Sequence, residues 1–283
     1  MKMKIAALLL LISITGNANA QSQNLEYVQK GEFGITAGLA HYFGDLNTRA
    51  SVSRPKPALG IFFRKQFGNY VGLRLSAHYA QVGYSDVYSS NEYQKTRNLS
   101  FNSNIWEVSL QGDFNFFKFI PTDPDYAFTP YITLGIGVFT YDPYAYTNGR
   151  KEFLRPLGTE GQRIGYKGRK PYSTLAMCIP LGIGFKYNLS EKFNFSFELA
   201  HRFTSTDYLD DVSTNYIDPN LYSSYFSGTK LSNALLLNDR QYEISPSHIT
   251  NNGDQRGNSK NNDAYFTFNL KISLLFGRER VRR

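Results

Sequence analysis

Polar and apolar side chains alternate with period two in eight separate stretches of this chain: residues 32–43, 59–67, 71–78, 106–116, 132–138, 174–186, 193–202 and 266–276. Successive side chains of a strand point to opposite sides, so this period marks strands with two unlike faces. In the fourth stretch Trp106, Val108, Leu110, Phe114 and Phe116 stand against Glu107, Ser109, Gln111, Asp113 and Asn115. In the last, Phe266, Phe268, Leu270, Ile272, Leu274 and Phe276 stand against Thr267, Asn269, Lys271 and Ser273. Each stretch is close to the roughly 9–11 residues of a tilted transmembrane strand, and none approaches the roughly 20 apolar residues of a membrane helix.

The connections alternate in length. Those after the second and sixth stretches are short (Gly68-Asn69 and Ser190-Glu191-Lys192), and that after the fourth is moderate, with Pro121 and Pro124. Those after the first, third, fifth and seventh are long, the last running over residues 209–263. Even strand number, short turns on one side and long loops on the other are the outer-membrane arrangement, with both termini in the periplasm. A soluble β-sandwich also alternates, but it would not clothe every strand in an apolar outer face. The expected fold is therefore all-β: an eight-stranded antiparallel transmembrane (outer-membrane) β-barrel with long extracellular loops. Pro180 falls inside the sixth strand, where it can donate no ladder hydrogen bond, and a bulge is expected there.

Composition agrees with that picture. Aromatic residues make up 16% of the chain while mean hydropathy is negative, a pairing that suits strands apolar on one side only, around a polar lumen. Lys2 and Lys4, the apolar run 5–15 and Ala18-Asn19-Ala20 read as a signal peptide over residues 1–20. Gln21 rather than cysteine follows the expected cut, which argues against lipid anchoring. A periplasmic stretch (21–31), the barrel (32–276) and a basic periplasmic tail (277–283) complete the expected organisation. The single cysteine, Cys178, rules out an intramolecular disulfide and reads as a small buried filler. The formal charge of +8, or +6 without Lys2 and Lys4, is scattered except in the tail, where Arg278, Arg280, Arg282 and Arg283 cluster. For an exported chain this favours anionic lipid or an acidic partner over nucleic acid.

The inward parity collects Glu32, Glu107, Asp113 and Glu198 with Arg64, Arg74, Lys186, Arg202 and Lys271. Eight strands leave just enough room for side chains to fill the interior. Four acids and five bases there are expected to form a paired network rather than an ion path, because buried charges persist only when paired. The sequence holds no G-x-S-x-G, H-E-x-x-H, phosphate loop or C-x-x-C. His41, His78, His201 and His248 match no metal-ligand spacing, and are expected at the membrane interface, in the lumen or in loops. The stretch 206–214, with Asp207, Asp210, Asp211 and Ser213, is the best calcium candidate, yet it lacks EF-hand spacing. Turn and loop hydrogen bonding is its favoured use. No catalytic residue, cofactor or metal is expected.

Several segments resemble the PorG family of outer-membrane barrels, components of the type IX secretion system of Bacteroidota. They are Tyr42-Phe43-Gly44-Asp45-Leu46-Asn47, Thr129-Pro130-Tyr131 leading into Gly135 and Gly137, and Pro156-Leu157-Gly158-Thr159-Glu160-Gly161-Gln162. Ile179-Pro180-Leu181-Gly182, Lys186-Tyr187-Asn188, Thr206-Asp207-Tyr208-Leu209-Asp210-Asp211-Val212-Ser213, Asn238-Asp239-Arg240 and Arg256-Gly257 continue the likeness. The resemblance implies a non-enzymatic part in protein secretion and gliding motility, with the barrel tied to a periplasmic ring of PorK/GldK and PorN/GldN proteins. It carries no catalytic residues. The N-terminal stretch, the three turns and the basic tail are the expected ring contacts. The alternative is a receptor or adhesin barrel whose outer loops bind a ligand or surface.

Overall fold

The computed structural model describes residues 28–121, 123–247 and 250–279; the expected signal peptide and most of the stretch 21–31 lie outside them, as do His248, Arg280, Arg282 and Arg283. Eight long strands close into a barrel: β1 (Val28–Phe43), β2 (Lys56–Phe67), β3 (Val71–Ser85), β4 (Ser100–Asn115), β5 (Phe128–Thr140), β8 (Leu175–Asn188), β9 (Phe193–Thr204) and β10 (Ala264–Glu279). Each pairs antiparallel with its neighbour in that order, and β10 returns to β1 through a ladder running from Val28↔Glu279 to Phe43↔Ala264. Closure matters energetically, because an open edge in lipid would strand unpaired backbone groups at several kcal/mol each. Among the described residues no helix is long and apolar enough to cross a membrane.

The outward parity is an apolar band: Ile35, Ile61, Leu110, Ile136, Met177 and Ile272 are all exposed on the barrel wall. Such a band needs lipid around it, and the short turns and long loops orient it. The protein is an outer-membrane barrel. The upper limit of the band can be read along two strands. On β4 the outward series changes from Trp106 to Asn104 and Asn102, and on β3 from Tyr79 to Gln81. Tyr79 and Trp106, opposite each other in the ladder with ring centroids 4.9 Å apart, mark that boundary as interfacial aromatics do.

Several boundaries differ from expectation. Strands β3 and β4 continue to Ser85 and Ser100, above the point where their outward positions turn polar and the apolar residues, Val82, Tyr84, Phe101 and Ile105, move to the inward face. The barrel also begins at Val28 and ends at Glu279, so the expected periplasmic stretch and tail each give residues to the β1–β10 ladder, Arg278 pairing with Gln29. No bulge forms at Pro180. Leu134↔Leu181 and Gly137↔Cys178 lie in one register on either side of it, and the β8–β9 ladder runs through Pro180↔Arg202 unbroken. The missing N–H simply opens the ladder to β5 for two residue pairs, without an extra residue. The third long loop holds a hairpin, β6 (Tyr144–Thr147) and β7 (Arg150–Phe153). Its Asn148-Gly149 turn has φ of 50° and 73° at the two positions, the left-handed pair that makes Asn-Gly the strongest short hairpin signal.

Candidate functional site

The lumen comes first. Alternation turns Glu32, Arg64, Arg74, Asp113, Lys186, Glu198 and Lys271 inward, and all are buried. They form one chain of contacts. Arg64 pairs with Glu32 and, at 2.6 Å, with Asp113. Arg74 bridges Asp113 at 3.5 Å and Glu198 at 2.7 Å. Lys186 lies 3.5 Å from Asp113, and Lys271 lies 2.6 Å from Glu198. Glu107 and Arg202 stand apart as a second unit, 2.9 Å from each other, where the Tyr265 hydroxyl also donates to Glu107 at 2.5 Å. Neutral donors fill in around the acids: Asn194 and Ser273 donate to Glu32, and the Tyr131 hydroxyl to Glu198 at 2.8 Å. His78 and Cys178 are buried beside these groups. His41 is buried between Phe43 and Tyr84, and the half-buried His201 packs with Phe43 and Phe203.

Above the lumen, the four outer loops are sewn into a cap by buried charges that sequence reading had no means of pairing. The Glu160 carboxylate accepts from the Ser213 amide at 2.9 Å, the Thr214 hydroxyl at 2.6 Å and Arg256 Nη1 at 3.1 Å. Arg256 Nη1 donates again to the Asp211 carbonyl at 2.6 Å, and its Nε donates to the Asn238 carbonyl at 3.2 Å. The Asp211 carboxylate accepts from the hydroxyls of Thr159 and of Tyr172, the latter at 2.6 Å. Asp211 itself has φ of 66°, a left-handed conformation that aspartate tolerates better than most side chains. From the second loop, Arg97 forks onto Asp86 with two 2.7 Å bonds and reaches the carbonyls of Asp45 and Arg256 at 2.9 and 2.6 Å. Asp45 in turn accepts from the Asn258 amide at 2.7 Å.

A second knot lies over the end of β1. The Tyr42 hydroxyl is 2.5 Å from Asp210 Oδ2 and 2.9 Å from Asp263 Oδ1. One hydroxyl proton faces two carboxylates, an arrangement that favours a proton on one of them. Burial, reinforced by the other loop acids, pushes both well above the usual carboxylate range. Asp207 and Asp211 are raised to about 7, in each case first by burial. The sequence-predicted group Asp207, Asp210, Asp211 and Ser213 therefore lies in this cap. Asp210 and Asp211 spend their oxygens on hydroxyl and amide donors, Asp210 Oδ1 accepting from the Val212 amide at 2.8 Å. Among the described residues no group of three or more His, Cys, Asp or Glu is arranged to hold a metal ion.

These shifts set a pH dependence. A carboxyl raised on folding binds its proton more tightly in the folded cap, so stability falls as pH rises from the ordinary carboxylate range near pH 4 toward about 7. Limited proteolysis of the outer loops is expected to run faster at pH 8 than at pH 5, after correction for the protease's own profile. Asp263→Asn should weaken that dependence. Equal loop protection at both pH values in the parent would contradict it.

At the opposite rim, residues of the turns after β4 and β8 enclose with Tyr70 a groove of about 830 Å³, lined by Phe117, Tyr126 and Tyr187 together with Asp123, Asp125 and Glu191. The expected tail contact begins at the end of β10, and its residues 280–283 lie outside the described ones. Arg278 is the penultimate residue of β10, and the Leu275 amide donates to the Lys192 carbonyl of the third turn at 2.8 Å.

The domain of unknown function DUF6089 matches residues 5–235. The chain belongs to the DUF6089 family. That span covers the first seven barrel strands and the cap residues as far as the helix Gly228–Asn238, so the DUF6089 pattern includes Glu160 and the 206–213 segment but not Arg256. No curated protein matches this DUF6089 chain significantly. Solved structures similar to it include the N-terminal β-barrel domain of OprF from Pseudomonas aeruginosa, 11% identical over 88% of this chain and 99% of that one, with a TM-score of 0.37. Neisserial surface protein A is 8% identical over 87% and 97%, TM-score 0.42. Ail, the attachment invasion locus protein of Yersinia pestis, is 9% identical over 88% and 99%, TM-score 0.39.

Proposed function

We propose that this protein is a non-enzymatic outer-membrane component of the type IX secretion machinery, which ties the periplasmic PorK/GldK and PorN/GldN ring to the outer membrane. The observation that carries the reading is the convergence of separated motif segments. Asp45, Glu160, the 206–213 stretch and Arg256, drawn from four of the segments that resemble the PorG family, meet in one buried polar cap. A pattern spread over distant loops is thereby one folded unit of this chain rather than scattered likeness. Side chains fill the lumen, which turns attention from transport through the barrel to contacts on its faces.

The periplasmic rim is the face available to a ring. Its groove combines aromatic walls with the carboxylates of Asp123, Asp125 and Glu191, and the sequence at the end of β10 and after it carries Arg278, Arg280, Arg282 and Arg283. Exposed charges of this kind set register and association rate more than affinity. Deleting the gene is expected to block secretion of type IX cargo. Replacing the four tail arginines with glutamate is expected to leave barrel insertion intact while lowering co-purification with the ring proteins, further at higher salt. Normal cargo secretion and ring recovery in the deletion strain would refute the proposal. A normal tail variant alone would move the contact to the turns and the groove.

A further inference from the structure

Two cavities on one side of the wall are stacked across the aromatic boundary. The lower is an apolar dent of about 780 Å³ that includes Leu59, Ile61, Ala77, Tyr79, Trp106 and Val108. It follows the ladder: Leu59, Tyr79 and Trp106 form one row across β2, β3 and β4, and Ile61, Ala77 and Val108 the row beneath. Ala77 and Ala37 are the small outward side chains among the larger residues that line it. The upper is a pocket of about 390 Å³ whose floor is Gly83 opposite Asn102, with Arg54, Lys56 and Tyr88 around it.

The upper pocket is cationic. Lys56 crosses above Gly83 to place Nζ 2.7 Å from Asn102 Oδ1. The glycine makes that crossing possible, since a Cβ there would lie 3.0 Å from Lys56 Cε. The Arg54 guanidinium lies 4.3 Å from the centre of the Tyr88 ring. Arg240 approaches from the last loop, donating to Ser100 at 3.0 Å, but its charge is matched by Glu243 at 2.9 Å. Arg54 and Lys56 have no carboxylate partner among the described residues. Four residues separate the Gly83–Asn102 row from the Tyr79–Trp106 row, about 13 Å along a strand and about 10 Å along the membrane normal after tilt. The pocket therefore stands in the layer of lipid headgroups, directly above a hollow in the hydrocarbon.

We propose that the outer ends of β2, β3 and β4 bind one phosphorylated, multiply acylated glycolipid of the outer leaflet, with Arg54 and Lys56 on its phosphate and an acyl chain in the dent beside Ala77. A fixed phosphate completes the charge of two otherwise unmatched cations, and an acyl chain fills space that a convex wall leaves open. The site is independent of the periplasmic contacts and of the secretion role.

Trp106 is the only tryptophan in the chain and belongs to the dent, so its fluorescence reports occupancy. The detergent-solubilised full-length barrel is titrated with diphosphorylated lipid A, dephosphorylated lipid A and inorganic pyrophosphate. A saturable change in Trp106 emission is expected with diphosphorylated lipid A, and at least tenfold weaker binding with the dephosphorylated form. The Arg54→Glu, Lys56→Glu double variant should bind at least tenfold more weakly while keeping the heat-shifted gel mobility of a folded barrel. Ala77→Leu should weaken binding of both acylated ligands. Equal affinity for the two lipid A forms, parent-like binding by the double variant, or pyrophosphate binding as tight as the lipid would each overturn the proposal.

Discussion

Glu107→Ala is expected to destabilise the folded barrel by about 3–5 kcal/mol, the cost of leaving one member of a buried ion pair without its partner. Arg202 is fully enclosed, with Glu107 at 2.9 Å as its only salt-bridge acid among the described residues. Its other contacts include the Thr267 hydroxyl, the Ala200 carbonyl and the Tyr265 ring, all neutral. Arg74→Ala should cost a similar amount, because Asp113 and Glu198 both lose a guanidinium and the chain of contacts is cut in its middle. The measurement is the urea or temperature midpoint at which the folded, gel-shifted form disappears. The isolation of the Glu107–Arg202 pair allows a sharper test. Removing both charges in Glu107→Leu, Arg202→Met should cost less than Glu107→Ala alone, since no unpaired charge then remains. A double variant weaker than the single would show that the pair contributes net stability of its own. A single variant indistinguishable from the parent would show that water reaches the lumen. In that case planar-bilayer recordings should show steady conductance, which the filled lumen is expected to prevent.

The barrel was legible because lipid imposes one rule on every strand. Outward positions must be apolar and inward ones are free to be polar, so period two survives from Phe33 in β1 to Phe276 in β10. Legibility ended where that constraint ends. Above Tyr79 and Trp106 the alternation inverts: Ala80, Val82, Tyr84, Phe101 and Ile105 point inward and are buried while Gln81, Asn102 and Asn104 point outward, so the outer ends of β3 and β4 no longer match a lipid-facing pattern. The β6–β7 hairpin was overlooked for a different reason. Its strands are four residues each, too short for a periodic signal, although Asn148-Gly149 announced the turn. At Pro180 the expected bulge followed from the missing N–H alone. The ladder tolerates that loss without a change of register because the β9 side stays fully paired.

The cap was least legible, since its pairings are set by loop geometry rather than by spacing. Glu160 and Arg256 are 96 residues apart, and nothing local to either announces the other. The only sequence trace was their presence in separate segments of one family-like pattern. The inward charges were simpler. Parity alone placed them in a narrow lumen, but it did not foretell that Glu107 and Arg202 stand apart from the seven-residue chain of contacts below.

Arg256→Ala is expected to open the cap while leaving the barrel closed. The guanidinium is nearly inaccessible, at 2% exposure, and ties Glu160, the Asp211 carbonyl and the Asn238 carbonyl together. Its loss leaves Glu160 and Asp211 buried beside Asp45, Asp207, Asp210 and Asp263, with Arg97 already committed to Asp86. An unpartnered buried charge costs about 3–5 kcal/mol, and here the cost falls on the loops, since the strands keep every ladder bond. Local opening governs protease access. Cleavage after Lys230, Arg240 or Lys260 should therefore accelerate roughly 100- to 4,000-fold, at about 1.4 kcal/mol per factor of ten. Arg256→Lys should fall between parent and alanine, because a single ammonium cannot reproduce the guanidinium's divergent donors. Gel mobility of the unboiled protein should not change in either variant. Parent-like protection in Arg256→Ala would show that the backbone bonds of the loops hold the cap without its central cation. Loss of the folded gel band would instead show that cap and barrel unfold as one unit.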